Sequence, residues 1–381
     1  MEHGTWNMEH GPEPAPCSLF LVASSRGEAG VWGLVGQERA VAALERALAT
    51  GRAAHAYLLV GPERVGKHTL ALRLAQALNC EGDSPVHGEP ACPEPSRRVE
   101  PCDRCEPCRR IAAGIHADVQ TVTVEEAEEE DERRKGIHVS QIRELERVTA
   151  LKPFQGRSRV VIIDPADEMN ASAQNAFLKT LEEPPPQVVF VLVTADESRL
   201  LPTIRSRCRR LELRTPSVAD VEATLLERGV DGERARLLAR LSAGRIGWAL
   251  EVAADPSLLE RRGESLSQAG ALASMTVAQR LDLAERLAQE YRRRPEALLA
   301  ELEAWRDWWR DVLIVQAGAE DGVANVDRLP DLRRDAARCD QSEVAAFVRA
   351  LQEARRYLGE NAQPRLVMET LLLEAPMESG Q

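Results

Sequence analysis

At 381 residues, 44% of them hydrophobic and 29% charged, the chain is long enough for two or three domains, each with its own core. A formal net charge of −12 and a pI of about 5.3 argue against a stand-alone nucleic-acid binder held by phosphate contacts, though one basic face within a larger complex is compatible with them. No run approaches the ~18 apolar residues of a membrane span, and the first residues lack the basic start and long apolar core of a signal peptide, so the cytosol is the expected compartment and no membrane is expected as a partner.

Residues 1–31, rich in Gly, Pro, Glu and Ser, read as a disordered leader. Helical periodicity begins after Trp32-Gly33, with Val41, Leu44 and Leu48 on one face. Ala56-Tyr57-Leu58-Leu59-Val60 fits a buried strand, and Leu70, Leu74, Ala77 and Leu78 then recur at helical spacing. Between strand and helix, Gly61 to Thr69 reads Gly-Pro-Glu-Arg-Val-Gly-Lys-His-Thr. The pattern G-x-x-x-x-G-K-[ST] needs glycines so that backbone N–H groups can cradle phosphates, a lysine for the β- and γ-phosphates, and a hydroxyl for the metal. Gly61, Gly66 and Lys67 are in place, but His68 stands at the hydroxyl position. Thr69 is one residue late, and one step along a helix turns a side chain by roughly 100°. The loop is built for nucleotide and poorly built for magnesium chemistry.

Five of the 8 cysteines crowd between Cys80 and Cys108, which in a reducing compartment reads as metal rather than disulfide. Cys102, Cys105 and Cys108 form C-x2-C-x2-C, and Cys80 closes the preceding helix. Four thiolates make a closed tetrahedral zinc site with no open position for catalysis. Cys92, His87 and His116 compete with Cys80 as fourth ligand; the plainer alternative is a set of free thiols in a loop. Glu81 to Pro101 is polar, Pro-rich and irregular, as an insertion would be.

Val119 to Val124 alternates like a half-buried strand, and the acidic run Glu125 to Glu132 after it reads as a solvated loop. Ile142, Leu145 and Thr149 mark a helix. Arg159 to Asp164 is an apolar strand ending in an acid, like a Walker B segment, but the next residue, usually a water-polarising Glu, is Pro165. Asp167 and Glu168 lie past the strand and read as solvated surface. A helix over about Ala171–Leu181 stops at Pro184-Pro185-Pro186, and Val188 to Val193 suits the middle of a parallel sheet. Strands alternating with helices predict a three-layer α/β domain to about Leu213; from Pro216 onward no strand is convincing, and the rest is expected to be helical, as two bundles.

Several segments together resemble the clamp-loader branch of the AAA+ ATPases, nearest to the bacterial DNA polymerase III delta-prime subunits. Gly36-Gln37-Glu38-Arg39-Ala40 is similar to the "G-Q-x-x-A/V" opening, His55-Ala56-Tyr57-Leu58 to H-A-Y-L-F, Asn175 to Pro185 to N-A-L-L-K-T-L-E-E-P-P, and Pro202 to Cys208 to P-T-I-x-S-R-C. These cover about residues 32–212. Gly244 to Ala249 and Asn361 to Leu366 match more loosely. The resemblance implies an AAA+ domain over 32–213 with a zinc module at 80–108, a helical lid over 214–258 and a helical oligomerisation collar over 259–381. It further implies a hetero-pentamer with gamma/tau and delta subunits, acting on a sliding clamp and primer-template DNA within the polymerase holoenzyme, with no polymerase site in this chain.

Gly61, Pro62, Arg64, Gly66, Lys67, His68, Thr69, Asp164 and, at the family's sensor-1 position, Thr194 are the nucleotide-site residues so implied, for ATP or ADP held without hydrolysis; Thr194 reads equally as a strand-terminal hydroxyl satisfying backbone. Arg207, in the Ser-Arg-Cys motif, is the implied arginine finger for a neighbour's ATP, against the plainer reading of an arginine in a surface turn. The lid arginine of active loaders falls at Gly247, with Arg245 two residues early. Three departures, at His68, Pro165 and Gly247, favour a rigid stator. The competing readings are an active gamma/tau-type ATPase and a zinc-dependent nucleic-acid module on a vestigial ATPase fold.

Overall fold

The computed structural model describes residues 31–82, 100–124, 136–359 and 362–378. Almost all of the expected leader and of the 81–101 insertion, and the whole acidic run, lie outside the described residues. Two compact units divide the chain, Met1–Pro216 and Ser217–Gln381.

The first unit is built on one parallel sheet of β1 (Ala56–Val60), β2 (Val119–Val122), β3 (Arg159–Ile163), β4 (Val188–Thr194) and β5 (Arg209–Glu212), in the order β2-β3-β4-β1-β5. Around it run α1 (Glu38–Ala49), α2 (Lys67–Asn79), α3 (Glu106–Ala112), α4 (Val139–Thr149), α5 (Ala171–Glu182) and the single turn α6 (Pro202–Arg205). The three inner strands β3, β4 and β1 are buried on both faces, which is why they read as unbroken apolar runs. Tyr57 and Leu59 of β1 pack with Val41, Leu44, Leu70 and Leu74 on one side. Ala56, Leu58 and Val60 pack with Ile142, Leu145, Phe177 and Leu181 on the other. Period-2 alternation thus divides each strand between two helical layers.

Polar side chains fix the joints of this unit. Gln37, just before α1, donates to the carbonyl of Arg214 (2.6 Å) and accepts from its N–H (3.1 Å), tying the start of the domain to the segment after β5. Asp118, at the entry to β2, accepts from the backbone N–H groups of Phe154, Gln155 and Gly156 at 2.7–2.8 Å and from the Arg159 guanidinium at 3.0 Å. Burial alone would raise that carboxyl; the four donors outweigh it and hold it at about 2.

The second unit consists of α7 (Val218–Glu227), α8 (Gly232–Leu241), α9 (Ile246–Ala254), α10 (Ser257–Ala271), α11 (Val277–Arg293), α12 (Pro295–Gln316), α13 (Leu329–Arg338), α14 (Gln341–Gly359) and α15 (Pro364–Leu373), with no strand among the described residues. Its largest core gathers Leu302, Trp305, Trp309, Phe347 and Met368, with Trp309 and Phe347 edge-to-face at 5.9 Å. Ser217 with Asp220 and Thr276 with Gln279 form reciprocal capping boxes at the starts of α7 and α11. Arg280 of α11 is buried, and its guanidinium donates to the carbonyls of Leu272, Leu372, Ala375 and Pro376. Among the described residues no helix is long and apolar enough to cross a membrane.

Candidate nucleotide site and cysteine cluster

The loop from Gly61 to Gly66 leaves the carboxyl end of β1 and opens α2, the strand–loop–helix setting that a phosphate cradle requires. A Cβ on Gly61 would lie 2.4 Å from the Leu213 carbonyl oxygen, so only glycine lets the loop pass that close. Gly66 has φ +99°, a left-handed conformation that turns the chain into the helix and leaves its first N–H groups without a capping side chain. Pro62 and Arg64 are exposed on the loop, and Thr69 is partly buried one step into the helix.

Lys67 is 7% exposed, and its ammonium donates to the carbonyls of Gly61 and Pro62, both at 2.6 Å. Burial lowers its pKa, against the opposing pull of Asp164, Glu63 and Asp167. His68 Nδ1 lies 2.7 Å from Asp164 Oδ2, so the two residues aligned with the metal-handling positions of the motif are bonded to each other. An ionised carboxylate only accepts, which assigns the proton to Nδ1. Asp164 follows β3 and is succeeded by Pro165, whose side chain offers no proton acceptor.

The acid pair that follows differs from its expected character. Asp167 is buried rather than solvated, within a 3-10 turn over Ala166–Glu168, while Glu168 pairs with Arg199 at 2.8 Å. Thr194, fully buried at the end of β4, accepts the Asp196 N–H at 3.0 Å, the backbone-satisfying arrangement. Arg207 is bonded to Glu182 at 2.6 Å and to the Thr203 carbonyl at 2.9 Å. In the second unit, Gly247 is buried, and Arg245 pairs with Glu303 and Asp307 of α12.

Away from the loop, Cys80, Cys102, Cys105 and Cys108 place their four Sγ atoms within 4.8 Å of one another. Zn–S bonds of about 2.3 Å put tetrahedral sulfurs about 3.8 Å apart, so this donor set suits the metal with small adjustments. The elements explain the convergence. Cys80 caps α2, Cys105 caps α3, and Cys108 lies in the first turn of α3. Arg73 of α2 pairs with Asp103, and Gln76 donates to the Cys108 carbonyl at 2.8 Å, holding the two helices together. The bond from Cys108 draws Cys80 down and in turn pushes Cys108 up, so these two thiols titrate as a coupled pair. His116 is not in this group; it is buried and accepts from the Asp118 N–H at 3.2 Å. Cys92 and His87 lie outside the described residues.

Residues 36–217 match the family described as "DNA polymerase III, delta subunit". The chain is 32% identical over 331 residues to the DNA polymerase III subunit delta' of Pseudomonas aeruginosa, covering 85% of this chain and 93% of the relative. It is 28% identical over 338 residues to the subunit delta' of Bacillus subtilis, covering 88% and 95%. The DNA polymerase III subunit tau of Escherichia coli is 32% identical over 305 residues, with 78% of this chain aligned but only 44% of tau.

Proposed function

The chain belongs to the delta-prime family of DNA polymerase III subunits, and from that membership we propose that it is the stator of a clamp loader: a subunit that joins gamma/tau and delta in a hetero-pentamer, hydrolyses no ATP itself, and donates Arg207 to a neighbour's ATP site. The work of such a complex is to load a sliding clamp onto primer-template DNA in the cytoplasm. The helices over 214–258 serve as the lid, those over 259–381 as the oligomerising collar, and the four cysteines hold one structural zinc.

The observation that supports this reading is the position of Arg207, in the turn between α6 and β5. β1 and β5 run parallel with Tyr57 opposite Arg209, so Arg207 stands level with the start of β1, whereas the phosphate loop leaves its far end. The length of β1 and one step at either side separate the two levels, roughly 20 Å. An arginine held at that end of the sheet is out of reach of its own loop and available to a different chain. His68 and Pro165 complete the argument, since the site that Arg207 cannot serve also lacks a metal hydroxyl and a base. Reconstitution with gamma/tau, delta and clamp tests the proposal: DNA-stimulated hydrolysis and clamp loading are expected to require this chain and to be unaffected by Lys67→Ala within it. Loss of hydrolysis on Lys67→Ala, with assembly intact, would instead favour a gamma/tau-type motor.

A further inference from the structure

Lys67 and the loop glycines retain everything needed to hold a phosphate. Two ammonium protons are fixed on the Gly61 and Pro62 carbonyls, which leaves the third for an anion, and the uncapped start of α2 faces the same loop. The metal half of the site has been filled. Magnesium requires near-ideal octahedral oxygen ligation at about 2.0–2.1 Å and keeps several waters. At this position an imidazole replaces the hydroxyl, and it is bonded at 2.7 Å to the carboxylate that would otherwise face the metal shell. To admit hydrated magnesium, that bond has to break and a five-membered ring has to leave.

We infer that this loop binds a nucleoside polyphosphate without its metal, with the His68–Asp164 pair occupying the magnesium position. The ligand is then the free nucleotide anion rather than its magnesium complex. The inference deepens the stator reading by naming the ligand of its loop, yet it concerns the isolated chain and its test needs no ring.

The measurement is equilibrium binding of ADP to the full chain, with divalent cations removed over a chelating resin and then with magnesium restored. EDTA is avoided because it would compete for the cysteine cluster. Wild-type affinity is expected to be equal in the two conditions within about twofold, and Lys67→Ala to abolish it. His68→Thr is expected to make magnesium tighten binding by about tenfold or more, because it removes the latch and restores the hydroxyl. Magnesium tightening wild-type binding tenfold, or no ADP binding in either condition, overturns the inference. The wild-type comparison stands alone even where His68→Thr fails to fold. Equal affinities with a defective ring would count against the stator reading and leave this one intact.

Discussion

Asp164 Oδ2, 2.7 Å from His68 Nδ1, is engaged by the side chain that replaced the metal's hydroxyl ligand. A departure and a retained acid at distant sequence positions therefore form a single contact, and Pro165 beside it offers no base. The isolated chain is expected to hydrolyse ATP at background, since each tenfold loss corresponds to about 1.4 kcal/mol of barrier and two groups are missing. Steady-state phosphate release by purified chain checks this; turnover near 1 per second, abolished by Lys67→Ala, would sink it.

The cysteine cluster is expected to carry one zinc per chain after purification without added metal, read by elemental analysis. Cys105→Ser should lose most of that zinc and lower the melting temperature, because structural metal affinity contributes directly to folding. Cys92→Ser is expected to keep both. Full zinc and unchanged melting in Cys105→Ser would reject the four-thiolate assignment.

Replacing Arg207 by Ala is expected to cost about 10³ or more in the DNA-stimulated hydrolysis of a reconstituted ring. Assembly is measured alongside by gel filtration. An assembled ring with an unchanged rate leaves Arg207 as a surface partner of Glu182 and nothing more.

Asp118→Ala is expected to cost about 3–5 kcal/mol, as removing one partner of a buried ion pair does. It leaves Arg159 with only the carbonyls of Val148, Leu151 and Lys152 and takes the acceptor from three N–H groups at the base of β2 and β3. Denaturant titration of the two chains gives the difference; a change below about 1 kcal/mol would show the carboxylate to be dispensable.

Glu301 of α12 supplies a pH signature. Burial first, then Glu290, pushes its carboxyl up to about 7 from an ordinary 4.5. Below that ordinary value the group is protonated in both folded and unfolded chains. Between about 4.5 and 7 the unfolded chain ionises this carboxyl while the folded chain keeps it protonated, so stability falls across that window and levels off above it. Glu301→Gln is therefore expected to melt with the wild type near pH 4 and above it near pH 8, by an amount of order 1 kcal/mol once partial solvation is allowed for. Equal melting at both values would show the carboxyl to be well solvated.

The alternating strands and helices were legible in the sequence because the inner strands are apolar throughout and the helices keep their period. The phosphate loop was legible for a related reason: its residues are contiguous, so spacing alone specifies them. The cysteine cluster was legible in the triplet from its spacing, and Cys80 was the favoured fourth member against Cys92, His87 and His116. Asp118 went unremarked, since it captures N–H groups 36–38 residues away and no local pattern marks that. Asp167 was misread for the opposite reason: beside Glu168 it looks like one of two solvated acids, but the 3-10 turn buries it and Arg199 reaches both carboxylates. The bond between His68 and Asp164 spans 96 residues and became visible only when the sheet set β1 and β3 two strands apart.

Arg280 has a consequence for how the second unit is made. Three of the four carbonyls that satisfy its guanidinium belong to Leu372, Ala375 and Pro376, more than ninety residues downstream. On the ribosome, α11 emerges long before those acceptors exist, and a guanidinium cannot enter an apolar interior without them. The helices that surround it cannot close over Arg280 until the segment from Leu372 to Pro376 is in place, so α11 depends for its burial on the last helix of this unit and the turn after it.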